Sequence, residues 1–141
     1  MESRAYMNRD LLEIRDLIQN ELGYSVSAHD LDDRITQMQK DGNYQINVAT
    51  KNGSIIGFIG ISMGFAFEIP GRVMNIIALA VSARHQGSGV GSALMRMAED
   101  LGRANHVSAI LVNSGMSREA AHRFYEKQGF NKKGYGFMKK I

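Results

Sequence analysis

A chain of 141 residues with 44% apolar side chains can bury one core and is short for two, so a single domain over residues 1–141 is expected. It contains no cysteine, which excludes disulfides, thiolate-ligated metals and a cysteine-borne acyl intermediate, and fits a reducing cytoplasm. The net charge of +3 is unevenly spread: residues 1–50 carry five basic against nine acidic side chains, and residues 51–141 carry twelve against five. That asymmetry suits a polyanionic ligand on the later part of the chain, or simply solvated helix faces.

The opening MESRAYMNRDLLE has an acid at position 2 and no apolar run, so it does not read as a signal peptide. Residues 10–21 place Leu11, Leu12, Ile14, Leu17 and Ile18 at helical spacing. Ser27 is a candidate cap for a second helix over residues 28–40, with Leu31, Ile35 and Met38 on one face. Residues 45–50 read as a strand, Lys51-Asn52-Gly53 as a tight turn, and residues 54–68 as a long strand. Within that strand Ile59, Ile61, Met63, Phe65 and Phe67 share one side, while Gly60, Ser62, Gly64 and Ala66 leave the other side bare. The apolar run IIGFIGISMGFAF spans 13 residues and is interrupted by three glycines, too short and too broken for a membrane helix.

A turn at Pro70-Gly71 leads to a strand over residues 73–81, then a glycine loop, then a helix to about Ala104 with Val90, Leu94, Met97, Ala98 and Leu101 in one stripe. Residues 107–112 form a further short strand, residues 117–128 a helix ended by Gly129, and two short strands are expected to close the chain. The expected fold is mixed α/β: a mostly antiparallel sheet of six to seven strands flanked by about four helices.

The loop Gln86-Gly87-Ser88-Gly89-Val90-Gly91 joins a strand to a helix N-terminus. Unpaired amides and the macrodipole favour an anion there, and bare glycines let phosphate oxygens approach the backbone. A phosphate-bearing ligand, most simply a pyrophosphate, fits this arrangement. A Walker A loop requires Gly-Lys-Ser/Thr, which is absent. A dinucleotide loop requires an acid at the end of the following strand, where Asn113-Ser114 stand instead.

Gln86-x-x-Gly89-x-Gly91 resembles the Q/R-x-x-G-x-G/A signature of the GNAT (GCN5-related N-acetyltransferase) superfamily, and Ala121-His122-Arg123-Phe124-Tyr125-Glu126-Lys127-Gln128-Gly129-Phe130 is similar to its A-x-x-F-Y-E-K-x-G-F segment. Arg4 to Leu11 resembles the family's opening strand and helix, so the likeness covers nearly the whole chain. It implies a GNAT fold with acetyl-CoA as cosubstrate. The amides of Gly87, Ser88, Gly89, Val90, Gly91 and Ser92 would hold the pyrophosphate, with Gln86 at the head of the signature. Leu79 and Val81 would pair with the pantetheine arm, Asn113 would lie beside it, and Tyr125 would protonate the leaving thiolate.

The implied reaction is attack of a primary amine on the thioester. An alkylamine with a pKa near 10.4 arrives protonated, so a base or water relay must take its proton. Relatives often carry a glutamate on the strand before the loop; here the matching positions hold Asn75 and Ala78, and Glu68 is the substitute, the only acid between Asp41 and Glu99. His122, three residues before Tyr125, is a second titratable group on that helix, and Arg118 stands where relatives often have Asn. No histidine, His29, His85, His106 or His122, has metal-ligand spacing, so no metal is expected. The tail, with Phe137, Lys139 and Ile141, is similar to aminoalkylphosphonate and aminoglycoside acetyltransferases.

The reading is therefore a cytoplasmic N-acetyltransferase taking acetyl-CoA and a small amine, or a protein amine, without nucleic acid or membrane; a homodimer is compatible with it. Two other classes remain open: an acetyl-CoA sensor without turnover, favoured by the missing strand glutamate, and a nucleic-acid-binding module, favoured by the basic later half.

Overall fold

The computed structural model describes residues 1–113, 119–134 and 136–141. The chain forms two compact units, Met1–Leu111 and Val112–Ile141. The first is built on a sheet in which each strand neighbours the next in sequence: β1 (Glu2–Ala5), β2 (Tyr44–Lys51), β3 (Ser54–Phe65), β4 (Arg72–Val81) and β5 (Val107–Val112). The pairs β1–β2, β2–β3 and β3–β4 are antiparallel.

Local chemistry sets the element ends. Asn52 and Gly53 both adopt positive φ (52° and 80°), the turn that matches the twist of a two-residue hairpin between β2 and β3. Helix α2 (Ala28–Asp41) starts where Ser27 Oγ accepts the Asp30 amide at 3.1 Å, as the sequence leads one to expect. Helix α1 (Leu11–Leu17) differs from expectation: after one 3-10 turn and two α-turns it widens into a π turn (Ile18–Leu22), closed by Gly23 at φ 78°. The N-terminal segment is tied down by Asp10. Its buried carboxylate accepts two bonds from the Arg4 guanidinium at 2.7 and 2.9 Å and one from the Met7 amide at 2.8 Å. The Arg4 hydrogen bonds hold the Asp10 carboxyl below the usual carboxylate range, against burial, which pushes it up.

Helices cover both faces of the sheet. On one, Ile14 and Leu17 of α1 and Leu31 and Ile35 of α2 pack with Val48, Phe58 and Ala80. On the other lies α3 (Val90–Ala104), whose Leu94, Met95 and Ala98 are fully buried. Met95 was not in the expected stripe; Met97 and Leu101, which were, are half-buried. Close approach of α3 depends on Gly57: a Cβ there would stand 3.0 Å from the Ala80 carbonyl oxygen and 3.2 and 3.3 Å from Val90 and Leu94 side-chain carbons. Because β3 is covered on both faces, it is buried from Ile55 to Ile61 instead of alternating.

Within the second unit, α4 (Glu119–Lys127) ends in a Schellman stop. The Phe130 amide bonds the Tyr125 carbonyl at 3.0 Å, the Gly129 amide bonds the Glu126 carbonyl at 3.0 Å, and Gly129 sits at φ 93°. The expected helix start at Ser117 lies outside the described residues.

The sheet has five strands among the described residues, which corrects the expected six to seven. The two closing strands do not form there. Residues 130–141 contain Lys132, Lys133, Gly134, Gly136, Lys139 and Lys140, residue types with weak strand preference. Their apolar side chains, Phe137, Met138 and Ile141, are exposed.

Candidate active site: the loop between β4 and α3

The end of β4 is anchored first. Val81 pairs with Gly57 across the β3–β4 ladder, and the Ser82 amide continues the pairing to the Ile56 carbonyl at 2.8 Å. A single 3-10 turn, Ala83–His85, then redirects the chain, with the His85 amide bonded to the Ser82 carbonyl at 2.8 Å. The Ser88 hydroxyl donates back to the His85 carbonyl, folding the loop on itself.

Glycine is required at two positions that follow. Gly87 and Gly89 have φ of 80° and 90°, the left-handed region in which a side chain is strained. Among the described residues, apart from each glycine's own chain neighbours, no atom lies within 4 Å of the place where a Cβ of either would stand. Gly89 is the N-cap of α3 and offers no side-chain acceptor to the first turn, which also contains no acid. Helix geometry gives the amides of Val90 and Gly91 no intrahelical partner. The result is a loop exposed over Gly87, Ser88 and Gly89 that runs into the positive end of a fifteen-residue helix, where Val90 is buried and Gly91 half-buried.

The side chain of Gln86, first residue of the signature, turns back into the protein. Its Nε2 donates to the Val81 carbonyl at 2.9 Å and to Glu21 Oε1 at 3.4 Å, while Glu21 Oε2 accepts the Ala83 amide at 3.0 Å. Glu21 escaped sequence reasoning. It lies more than 60 residues upstream, and only the fold brings it to the loop.

The structure thus gathers Leu79, Val81, Gln86, Gly87, Ser88, Gly89, Val90, Gly91 and Ser92 at one end of β4. Leu79 and Val81 are half-buried. Glu68 is elsewhere. The long strand ends at Phe65 instead of residue 68, and Glu68 is an exposed member of the turn that leads into β4. Arg72, which pairs with Phe65, and Val81, which pairs with Gly57, mark the two ends of β4. At about 3.3 Å per residue the ten residues of β4 span on the order of 30 Å, with Glu68 before the first of them and the glycine loop after the last. Asn75 and Ala78 are half-buried on β4 between them.

In the second unit, Asn113 is exposed just after β5, and Ser114 and Arg118 lie outside the described residues. Tyr125 is half-buried on α4, its ring held edge-on between Phe124 (centroids 5.5 Å apart) and Phe130 (5.6 Å). The F-Y-E-K-x-G-F segment therefore has a structural role independent of chemistry: it stops the helix and fixes the tyrosine ring. His122 is half-buried on the same helix. No group of three potential ligands that could hold a metal ion occurs among the described residues, and no helix there is long and apolar enough to cross a membrane.

Comparison with known proteins identifies the family and the fold. The model of the Acetyltransferase (GNAT) family matches residues 11–130, and the chain belongs to that family. It is 27% identical over 128 residues to the aminoalkylphosphonate N-acetyltransferase of Salmonella typhimurium, covering 91% of this chain and 80% of that protein. The aminoglycoside antibiotic 6'-N-acetyltransferase of Acinetobacter haemolyticus superposes with a TM-score of 0.85 at 19% identity, covering 100% of this chain and 99% of that one. A transcriptional regulator from Bacillus halodurans reaches 0.87 at 19% identity, with 99% of each chain covered. The two structural likenesses establish the fold.

Proposed function

We propose that the chain is an N-acetyltransferase that moves the acetyl group of acetyl-CoA to a primary amine by direct attack in a ternary complex. The observation that carries this reading is the loop after β4: two exposed glycines in the left-handed region, no described atom beyond their chain neighbours within 4 Å of either Cβ position, and a helix start with no side-chain cap and no acid in its first turn. Those features fit a pyrophosphate, and the family supplies acetyl-CoA as its bearer.

The loop amides of residues 87–92 would bind the pyrophosphate, and Leu79 and Val81 would offer main-chain bonds to the pantetheine arm, with Asn113 as a further contact. Bound acetyl-CoA supplies an activated acyl thioester. Tyr125 is assigned the proton that the departing thiolate takes up, on its match to the family segment and on a ring orientation fixed by two aromatic neighbours. Glu68 is assigned the proton of the incoming ammonium, taken up through a chain of waters because the length of β4 stands between it and the glycine loop. The absence of cysteine removes the most nucleophilic side chain that could carry an acetyl group and so supports direct transfer.

The acceptor is proposed as a small amine. The aminoalkylphosphonate enzyme, 27% identical and covered over 80% of its length, makes phosphonate-bearing amines the first class to test. The experiment is release of free CoA from acetyl-CoA in the presence of an amine panel. Turnover with at least one amine, with intersecting lines in two-substrate initial-rate plots, is the expected result. Acetyl-CoA binding without turnover on any amine would favour a sensor. An isolable acetyl-enzyme would contradict the ternary complex.

A further inference from the structure

The carboxylate of Glu21 poses a problem for an anion site. A negative charge at the root of a pyrophosphate loop opposes the ligand by like-charge repulsion. Yet this carboxylate is half-buried there and holds two loop donors, the Ala83 amide and the Gln86 side chain. Two oxygens accept from two points of the segment that links β4 to the glycines. Gln86 passes the constraint on to the Val81 carbonyl.

The position of Glu21 is itself unusual. It falls in the π turn that ends α1, where a wider helical step re-aims side chains relative to a regular α-helix. Gly23 at φ 78°, with its amide bonded to the Ile18 carbonyl, closes that turn. A helix more than 60 residues upstream thus reaches the root of the loop. Two glycines free to adopt many conformations in the unfolded chain, Gly87 and Gly89, follow directly. Fixing the residues before them reduces the ordering that a bound ligand must otherwise impose.

We propose that Glu21 is a positioning residue that presets the pyrophosphate loop through Ala83 and Gln86, so that acetyl-CoA affinity depends on an acid that would otherwise repel it. This inference rests on the acetyl-CoA reading above. The alternative is that Glu21 is an incidental anion, in which case its removal should tighten binding. The two accounts therefore predict opposite signs.

The test compares wild type, Glu21→Ala and Glu21→Gln in the full chain, with calorimetric Kd for acetyl-CoA and steady-state rates for two donors. The second donor is S-acetylpantetheine, which lacks the pyrophosphate. For Glu21→Ala, Kd and KM for acetyl-CoA should rise about tenfold, the loss of roughly one charge-assisted hydrogen bond, with kcat within about twofold. For S-acetylpantetheine, kcat/KM should change by less than about twofold, because the loop has nothing to bind. Glu21→Gln keeps an acceptor oxygen for Ala83 and should recover most of the acetyl-CoA affinity. Unchanged or tighter acetyl-CoA binding in Glu21→Ala, or an equal loss with both donors, overturns the proposal while the acetyl-CoA reading stands. Failure of wild type to bind acetyl-CoA overturns both.

Discussion

The two ends of β4 are built differently. At the loop end, backbone and side-chain hydrogen bonds from Ile56, Glu21, Gln86 and Ser88 fix the chain up to the glycines, and Gly57 lets α3 press against the strand beneath. At the other end, the β3–β4 turn carries Phe65 at 79% and Phe67 at 109% relative exposure, with Glu68 beside them. A site for a ligand of fixed chemistry can be preorganised by the protein's own bonds, whereas an end that must suit one particular acceptor is free to vary. On this reading the loop end belongs to the cofactor and the open end to specificity.

The sharpest way to break the comparison is at the loop. Gly89→Glu places a side chain at φ 90° and a like charge against the phosphates, so acetyl-CoA affinity should fall by more than about 100-fold, measured by calorimetry. Undiminished affinity would remove the loop from the account. Next in size is Tyr125→Phe. The ring contacts with Phe124 and Phe130 survive, so Kd should hold while kcat drops on the order of 10²-fold, the usual scale for one general acid. A kcat within about twofold of wild type would make Tyr125 a packing residue. The thiolate of CoA, with a pKa near 8.5, is a tolerable leaving group, so the effect falls at the lower end of that scale.

Gly57→Ala probes the support under the loop. Its Cβ would press on the Ala80 carbonyl and on Val90 and Leu94, and overpacking of that kind costs about 1–3 kcal/mol, a Tm fall on the order of 5 °C by scanning calorimetry. At the open end, Glu68→Gln should leave Kd for acetyl-CoA unchanged. It should lower kcat/KM by about tenfold or less and shift its pH profile. A flat response across pH would show that Glu68 takes no proton.

Acid tests the frame that holds both ends. The folded-state pKa of Asp10 is depressed, so its contribution to stability is complete above the ordinary carboxylate value of about 3.9 and disappears as pH falls through the lower folded value. Asp10→Asn should lower Tm at neutral pH and flatten its dependence below about pH 4. An unchanged slope would assign the acid sensitivity to other groups.

Much of this was legible in the sequence because it is encoded locally. Ser27 caps α2, Asn52-Gly53 makes the hairpin, and Gly129 stops α4, each through residues within a few positions of one another. The glycine loop was legible for the same reason: three glycines before an apolar stripe specify backbone geometry directly. What failed was whatever depended on partners far along the chain. The end of β3 at Phe65 depends on pairing with Arg72, and the π turn in α1 serves a contact with residues 83 and 86. The closing strands were expected simply to follow the helix that Gly129 ends, and the sequence of a segment cannot show whether a sheet edge receives it. Glu21 had no signal at all beyond lying in an acidic segment.

The central claim is that this chain uses the loop after β4 to present acetyl-CoA to an amine. Its most direct test is acetyl-CoA-dependent release of CoA, followed continuously with a thiol reagent, for wild type and Gly89→Glu side by side against a panel of aminoalkylphosphonates and other primary amines. The account predicts saturable turnover by wild type on at least one amine and none by the variant at the same acetyl-CoA concentration. Equal turnover by both proteins would contradict it, since the acetyl group would then reach the amine without the loop.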